Sequence, residues 1–261
     1  MRGVESSVAI ALLAEDRYKF FAELVSLAAE NPYVPKEVYA DTIPATVVMV
    51  VEHFPHGDSV TFSSYSGAFL REAVTQVLCR LDGFLLISPD RRVFEAAETP
   101  STLEMGKVSC RRSFVCTDLS RVPATQIAAA ALTESDEGTF VRYAHKHLEG
   151  TPGPADLFRW FVREGRGEIL ALTEQRDLLG YLSCSPEYRD IWDVEYVHVR
   201  EDMRGRGLGT VLAATYARQR LTRGQVPYWS SAASEASERT ALKAGFFCCR
   251  EALSAGVRVS R

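Results

Sequence analysis

Arg204-Gly205-Arg206-Gly207-Leu208-Gly209 sets three glycines at alternate positions with two arginines interleaved. Glycine admits positive φ and lets the backbone approach a ligand closely, so successive N–H groups can converge on an anion at the start of a following helix. Arg204 and Arg206 add charge of the matching sign. Such a loop implies an anionic ligand, and a pyrophosphate is the natural candidate. Just upstream, Asp193, Glu195, Tyr196 and His198 bring carboxylates, a phenol and an imidazole into one short segment. These are groups that can hold or move a proton.

The elements that must position these residues are legible around them. Trp192 to Val199 is rich in β-branched and aromatic residues and alternates with period two, which predicts a strand. On that strand Asp193 and Glu195 share one face, and Tyr196 and His198 the other. Thr210 to Leu221 has apolar residues near helical spacing, with Arg218 and Arg220 late, where cations favour a helix C-terminus. The order is strand, glycine loop, helix. Leu208-Gly209-Thr210 lacks the lysine of a Walker loop, and glycine at every second position departs from the G-x-G-x-x-G dinucleotide fingerprint. The plain alternative is a glycine-rich turn with solvated arginines.

The chain has 261 residues, 46% hydrophobic and 25% charged, enough for one large core or two smaller ones. A net charge of −4 argues against a general nucleic-acid binder. Cys79, Cys110, Cys116, Cys184, Cys248 and Cys249 form no metal spacing and a poor disulfide framework, which points to reduced thiols in a cytoplasm. His145 and His147 are two apart, the wrong spacing for a helical metal pair, so no metal site is expected. The apolar run Val8 to Ala14 is followed by Glu15-Asp16 rather than a cleavage site, and no stretch is long enough to span a membrane.

In the N-terminal half, Leu12 to Leu27 predicts one amphipathic helix, Ala45 to Val51 a buried strand, Phe54 to Asp58 a turn, Ser66 or Gly67 to Leu81 a helix, and Gly83 to Ile87 a second strand. This is an α/β pattern with no catalytic motif. Beyond Lys107 the expected order is a strand at Ser113–Thr117, a helix at Pro123–Leu132, a break at Thr151–Pro154 and a helix from Ala155 to Glu164. A hairpin of Glu168–Thr173 and Leu178–Ser183 then leads into the strand that feeds the loop. No internal repeat stands out. The domain boundary is placed at 106/107.

Arg-x-x-Gly-x-Gly after a strand ending in Val199 resembles the acyl-CoA-binding motif of the GNAT superfamily of N-acyltransferases. Pro227-Tyr228-Trp229, continuing through Ser234, Ser237, Ala241 and Lys243-Ala244-Gly245-Phe246, resembles that superfamily's second signature. The pattern is most similar to two-domain members related to zwittermicin A resistance acetyltransferases and glycine N-acyltransferases, although Ser234 stands where those usually have asparagine. The resemblance covers residues 107–261, most closely Asp193 to Phe247. It implies an α+β protein whose C-terminal half is a GNAT fold, a mixed, mostly antiparallel splayed sheet flanked by helices, with an N-terminal α/β domain forming one wall of the acceptor site.

The resemblance also implies acetyl-CoA as cosubstrate, held by Val197, His198, Val199, Arg204, Gly205, Arg206, Gly207, Leu208, Gly209, Thr210, Ser234 and Ser237, with no metal. The reaction implied is direct transfer of an acetyl group to a primary amine of a small molecule, in a cytoplasmic monomer or homodimer with neither nucleic-acid nor membrane partner. Glu195 is the favoured base, because a partly buried carboxylate can be raised toward neutrality; His198 is the runner-up, with a suitable unperturbed pKa. Many GNAT enzymes protonate the departing thiolate with a tyrosine where this chain has Ala241, which leaves Ser237, Tyr228 or water. Protein or peptide N-acetylation and a non-catalytic acyl-CoA-binding module are the competing expectations.

Overall fold

Alternating and continuous apolar runs separate cleanly along the chain, and a computed structural model shows what they build. It describes residues 1–19, 24, 27, 35–42, 45–54, 57–98, 103–127, 129–148, 154–175, 177–232 and 234–260. The chain divides into two compact units, Met1–Arg112 with Cys249–Arg261, and Ser113–Cys248. The expected boundary at 106/107 was a single cut. The chain instead crosses after Arg112 and again after Cys248, because the C-terminal strand pairs within the first unit.

In chain order the first unit holds β1 (Arg2–Gly3), α1 (Ser6–Leu13), β2 (Lys36–Ala40), β3 (Val48–Phe54), β4 (Gly57–Phe62) and α2 (Gly67–Gln76). There follow β5 (Gly83–Ser88), α3 (Arg91–Ala97), β6 (Leu103–Met105) and β7 (Ser109–Val115), within which the chain enters the second unit. That unit holds β8 (Ala130–Ala131), α4 (Glu137–His147), α5 (Pro154–Phe158), β9 (Glu168–Glu174), β10 (Asp177–Tyr188) and β11 (Ile191–Val199). It ends with α6 (Leu208–Thr222), β12 (Val226–Ala232) and α7 (Glu235–Lys243), and β13 (Phe247–Val259) returns to the first unit.

The first unit is an antiparallel meander β2-β3-β4, a helix α2 capped by Ser66, a strand β5 parallel to β4, and a helix α3. The second repeats that order: an antiparallel meander β9-β10-β11, the helix α6, the parallel strand β12 and the helix α7. No sequence repeat announces this, because the shared property is connectivity, which many apolar patterns satisfy.

In the second unit the sheet is covered on both faces. β9 is therefore buried on alternate residues in both directions: Leu170 and Leu172 join α6 in one core, Ile169 and Ala171 join α4 and α5 in the other. Arg220 on α6 is fully buried, its guanidinium 3.8 Å from the centroid of the Trp192 ring and ion-paired to Glu168, with Gln225 Oε1 at 3.0 Å. Its work is this stack and pair. Arg218 donates to the carbonyls of Val122 and Pro123, so neither arginine is simply an exposed C-terminal cation.

Two expected elements differ. The helix expected over Leu12 to Leu27 is interrupted after Leu13 by a 3₁₀ turn, Ala14–Asp16, where exposed Glu15 and Asp16 offer no apolar face; Leu24 and Leu27 are helical, and positions 20–23, 25 and 26 lie outside the described residues. The helix expected at Pro123–Leu132 is absent, because Ala129 gives its N–H to Thr215 and Leu132 gives its to the Ile169 carbonyl, making a short edge strand. The turn expected at Phe54–Asp58 falls where β3 gives way to β4, with Phe54 pairing Gly57; Pro55 and His56 lie outside the described residues. α3 was not anticipated. Among the described residues no helix is long and apolar enough to cross a membrane.

Arg220→Ala removes one partner of a buried ion pair and the Trp192 stack, so it lowers stability by about 3–5 kcal/mol, read as an earlier urea midpoint.

Candidate functional site

The site begins where two strands part. β11 and β12 pair at Ile191–Val226, Trp192–Pro227 and Asp193–Tyr228 and then stop, although β11 runs on to Val199. On the other edge of β11 the register with β10 slips between Ser183, opposite Tyr196, and Cys184, opposite Val194, so Glu195 is an extra residue in a β-bulge. A bulge bends and twists its strand, and here it falls beside the point of divergence. Beyond that point the N–H of Ser230 is taken by Asp193 Oδ1 at 2.8 Å.

Downstream of β11, Gly205 and Gly207 both adopt φ +78°. Gly207 is the left-handed N-cap of α6 and offers no side-chain cap, so the first N–H groups of that helix are left facing outward, the arrangement that receives anions. Together the loop, the inner side of β11 and one face of α7 line a cleft of about 350 Å³. Of the residues expected to hold the cofactor, Val197, Val199, Arg204, Gly205, Gly207, Leu208, Gly209, Thr210 and Ser237 line it.

His198, Arg206 and Ser234 do not line it. Arg206 is exposed. Ser234 caps α7, its Oγ accepting the Ser237 N–H at 3.2 Å. The His198 ring turns to the opposite face of the sheet from Val197 and Val199, where its Nδ1 is 2.8 Å from the Tyr143 hydroxyl and it packs against Tyr181. Burial, then Arg204 and His147, hold it below the usual histidine range. His147 itself stacks on Tyr143, a packing role, and among the described residues no group of His, Cys, Asp and Glu gathers to hold a metal.

Cleft residues that the motif did not reveal are Met203, Trp229, Ala236, Arg239, Thr240 and Lys243. Four of these lie on α7 at helical spacing from one another, so once Ser237 is placed in the cleft the i+3, i+4 rule would have found them. Arg204, Arg239 and Lys243 make the lining cationic.

The proton-active groups lie beside the bulge. Glu195 is exposed as a residue, but its carboxylate end is crowded: Ser185 Oγ, with one proton to give, lies 2.7 Å from Glu195 Oε1 and 2.6 Å from Glu187 Oε1. Burial of that end, with Glu187 nearby, raises its pKa against the lowering effect of Ser185. Asp193 is buried, and burial pushes it up to about 7, with Glu195 and Glu187 adding and Ser230 opposing. Ala241 is fully buried in the core and carries no hydroxyl, and Tyr228 is buried outside the cleft lining, so Ser237 is the expected acid candidate that reaches it.

Residues 130–246 match the model of the Acetyltransferase (GNAT) family. Over 100% of its length the chain resembles a GCN5-related N-acetyltransferase from Sphaerobacter thermophilus, with a TM-score of 0.64, 12% identity and 95% of that chain covered. A GNAT-family acetyltransferase from Colwellia psychrerythraea aligns over 98% of both chains with a TM-score of 0.63 and 10% identity. A tandem GNAT protein from the clavulanic acid biosynthesis pathway aligns over 97% of this chain and 94% of its own, with a TM-score of 0.56 and 13% identity. No curated protein matches the sequence. The fold is thus the GNAT fold, with the splayed strands and glycine loop in the matched segment.

Because Asp193 is raised in the folded state above its unfolded value, the native protein binds the extra proton between about pH 4 and pH 7. That contribution is full below the unfolded pKa and is lost as pH rises through 7. The melting temperature of wild type therefore falls over this range by more than that of Asp193→Asn, measured by thermal scans from pH 5 to 8.

Proposed function

We propose that the protein is an N-acetyltransferase that moves the acetyl group of acetyl-CoA to a primary amine of a small molecule, in the manner of two-domain GNAT enzymes related to zwittermicin A resistance and glycine N-acyltransferases. The observation that carries this reading is the cationic cleft between parting strands, with unpaired helix N-terminal N–H groups at one end. The residues present suit the cosubstrate. Backbone N–H groups of Leu208, Gly209 and Thr210, with Arg204, Arg239 and Lys243, match a pyrophosphate, and the apolar Val197, Val199 and Trp229 match an uncharged arm. The bound cosubstrate supplies an activated thioester, whose thiolate is a fair leaving group with a pKa near that of a free thiol, about 8.5.

The chain's own groups do the rest. The unpaired main chain of β11 beyond Asp193 has N–H groups free of β12 with which to orient a carbonyl. Glu195 is the base: its raised carboxyl is beside that main chain and open to an entering ammonium group, directly or through water. His198 is less suited, because its Nδ1 is engaged by Tyr143 on the other face. We place the enzyme in the cytoplasm, as a monomer or homodimer acting on neither nucleic acid nor membranes.

A second reading, a non-catalytic acyl-CoA-binding module, is favoured by Ala241, where no side chain can protonate a thiolate. Release of free thiol from acetyl-CoA with a panel of amines separates the two: turnover on a small amine supports the transferase, and tight CoA binding without turnover on any amine sinks it. Acetylation of peptides but not of small amines would move the acceptor class to proteins. Glu195→Gln lowers the transfer rate by about 10²-fold with CoA affinity unchanged, and His198→Ala lowers it by less than about tenfold, both read from initial rates against pH.

A further inference from the structure

Asp193 is an unusual residue for its position. It is 7% exposed, its hydrogen bond comes from the neutral residue Ser230, and a buried carboxylate is costly unless hydrogen bonds repay the lost water. It is also the last residue of β11 that pairs with β12. A ladder continued in the same register would set Glu195 beside Ser230. Instead Glu195 is the bulged residue, held on the β10 side by Ser185, and the Ser230 N–H turns to the Asp193 carboxylate at 2.8 Å. One side chain thus occupies the acceptor position that a paired strand would have filled.

We propose that Asp193 is the positioning residue that sets where β11 and β12 part, by capturing the Ser230 N–H that the ladder no longer pairs and so holding the cleft open for acyl-CoA. The inference rests on the cofactor reading above. Asp193 does not line the cleft; it acts through β12, whose next residue along from Tyr228, Trp229, forms the cleft wall. Without the carboxylate, the half-buried Ser230 N–H is left without that acceptor, and an unsatisfied donor favours re-pairing with a neighbouring carbonyl. Re-pairing toward β11 would close the wedge from its apex. The titratable groups that face Asp193 are Glu195 on its own strand, Glu187 on β10 and the Tyr216 hydroxyl on α6, and none of them is a cation.

The test uses CoA itself as probe, by titration calorimetry on the intact protein. Asp193→Ala weakens CoA binding by at least about tenfold, whereas Asp193→Asn, which keeps a carbonyl acceptor, and Ser230→Ala, which keeps the main-chain N–H, stay within about threefold of wild type. In wild type the amide proton shift of Ser230 moves with pH near neutrality, and in Asp193→Asn it is flat. Wild-type affinity in Asp193→Ala, a loss in Asp193→Asn as large as that in Asp193→Ala, or a Ser230 amide that ignores pH in wild type would each overturn the proposal. Should Asp193→Ala fail to fold, the Asn variant and the amide shift decide alone. Wild-type protein that does not bind CoA at all overturns the cofactor reading and this inference with it, whereas undiminished binding in Asp193→Ala overturns only the inference.

Discussion

A parallel ladder that stops early is the constraint on which the second unit depends. Three residue pairs hold β11 to β12, and everything that makes the cleft follows from what happens next: a bulge at Glu195, a carboxylate on Ser230, and a run of β11 that keeps β10 but lacks β12 as it leads into the loop. Unpaired backbone is expensive in a protein interior. It persists here because surrounding packing fixes both strands. Trp192 is held under Arg220, Tyr216 donates to the Trp192 carbonyl at 2.5 Å, and Phe246 packs edge-on against Trp229. The opening is therefore bordered by core residues rather than left to a loop.

The first unit shows the same connectivity without the opening. Its equivalent parallel pair, β4 and β5, is zipped from Asp58–Phe84 to Thr61–Ile87, in a strand that ends at Phe62. Ser63-Ser64-Tyr65-Ser66 then leads into α2, with a serine cap on the helix N-terminus and no arginine or alternating glycine. A helix end already capped by its own side chain has less to offer an anion. Two units of similar order thus differ at the one place where ligand chemistry would be written.

What could be read from the sequence was local. The loop declared itself because glycine spacing, the strand before it and the helix after it all lie within one continuous segment, and the alternation of Val197, His198 and Val199 correctly put the histidine on the face opposite the two valines. The bulge at Glu195 could not be read, since it is a property of pairing with β10 and not of β11 alone. Nor could the burial of Asp193, because its partner is Ser230 on a strand reached only through α6. Pro123–Leu132 failed for a related reason: the N–H groups of Ala129 and Leu132 find better acceptors in Thr215 and Ile169, across the fold, than a helix of its own with Ile127 exposed within it would provide. The α7 face was legible in principle, by helical spacing from Ser237, once one of its members was fixed.

The return of β13 to the first unit carries a consequence for how the molecule is made. Leu253 to Arg258 pair with β5, and Ala255 and Val257 fill that unit's core. Those residues leave the ribosome after the whole second unit. Until they do, the β5 edge that β13 will cover has no partner from that side. An uncovered strand edge of this kind is a template for wrong pairing, so the interval before β13 arrives is when the nascent chain is most in need of a chaperone.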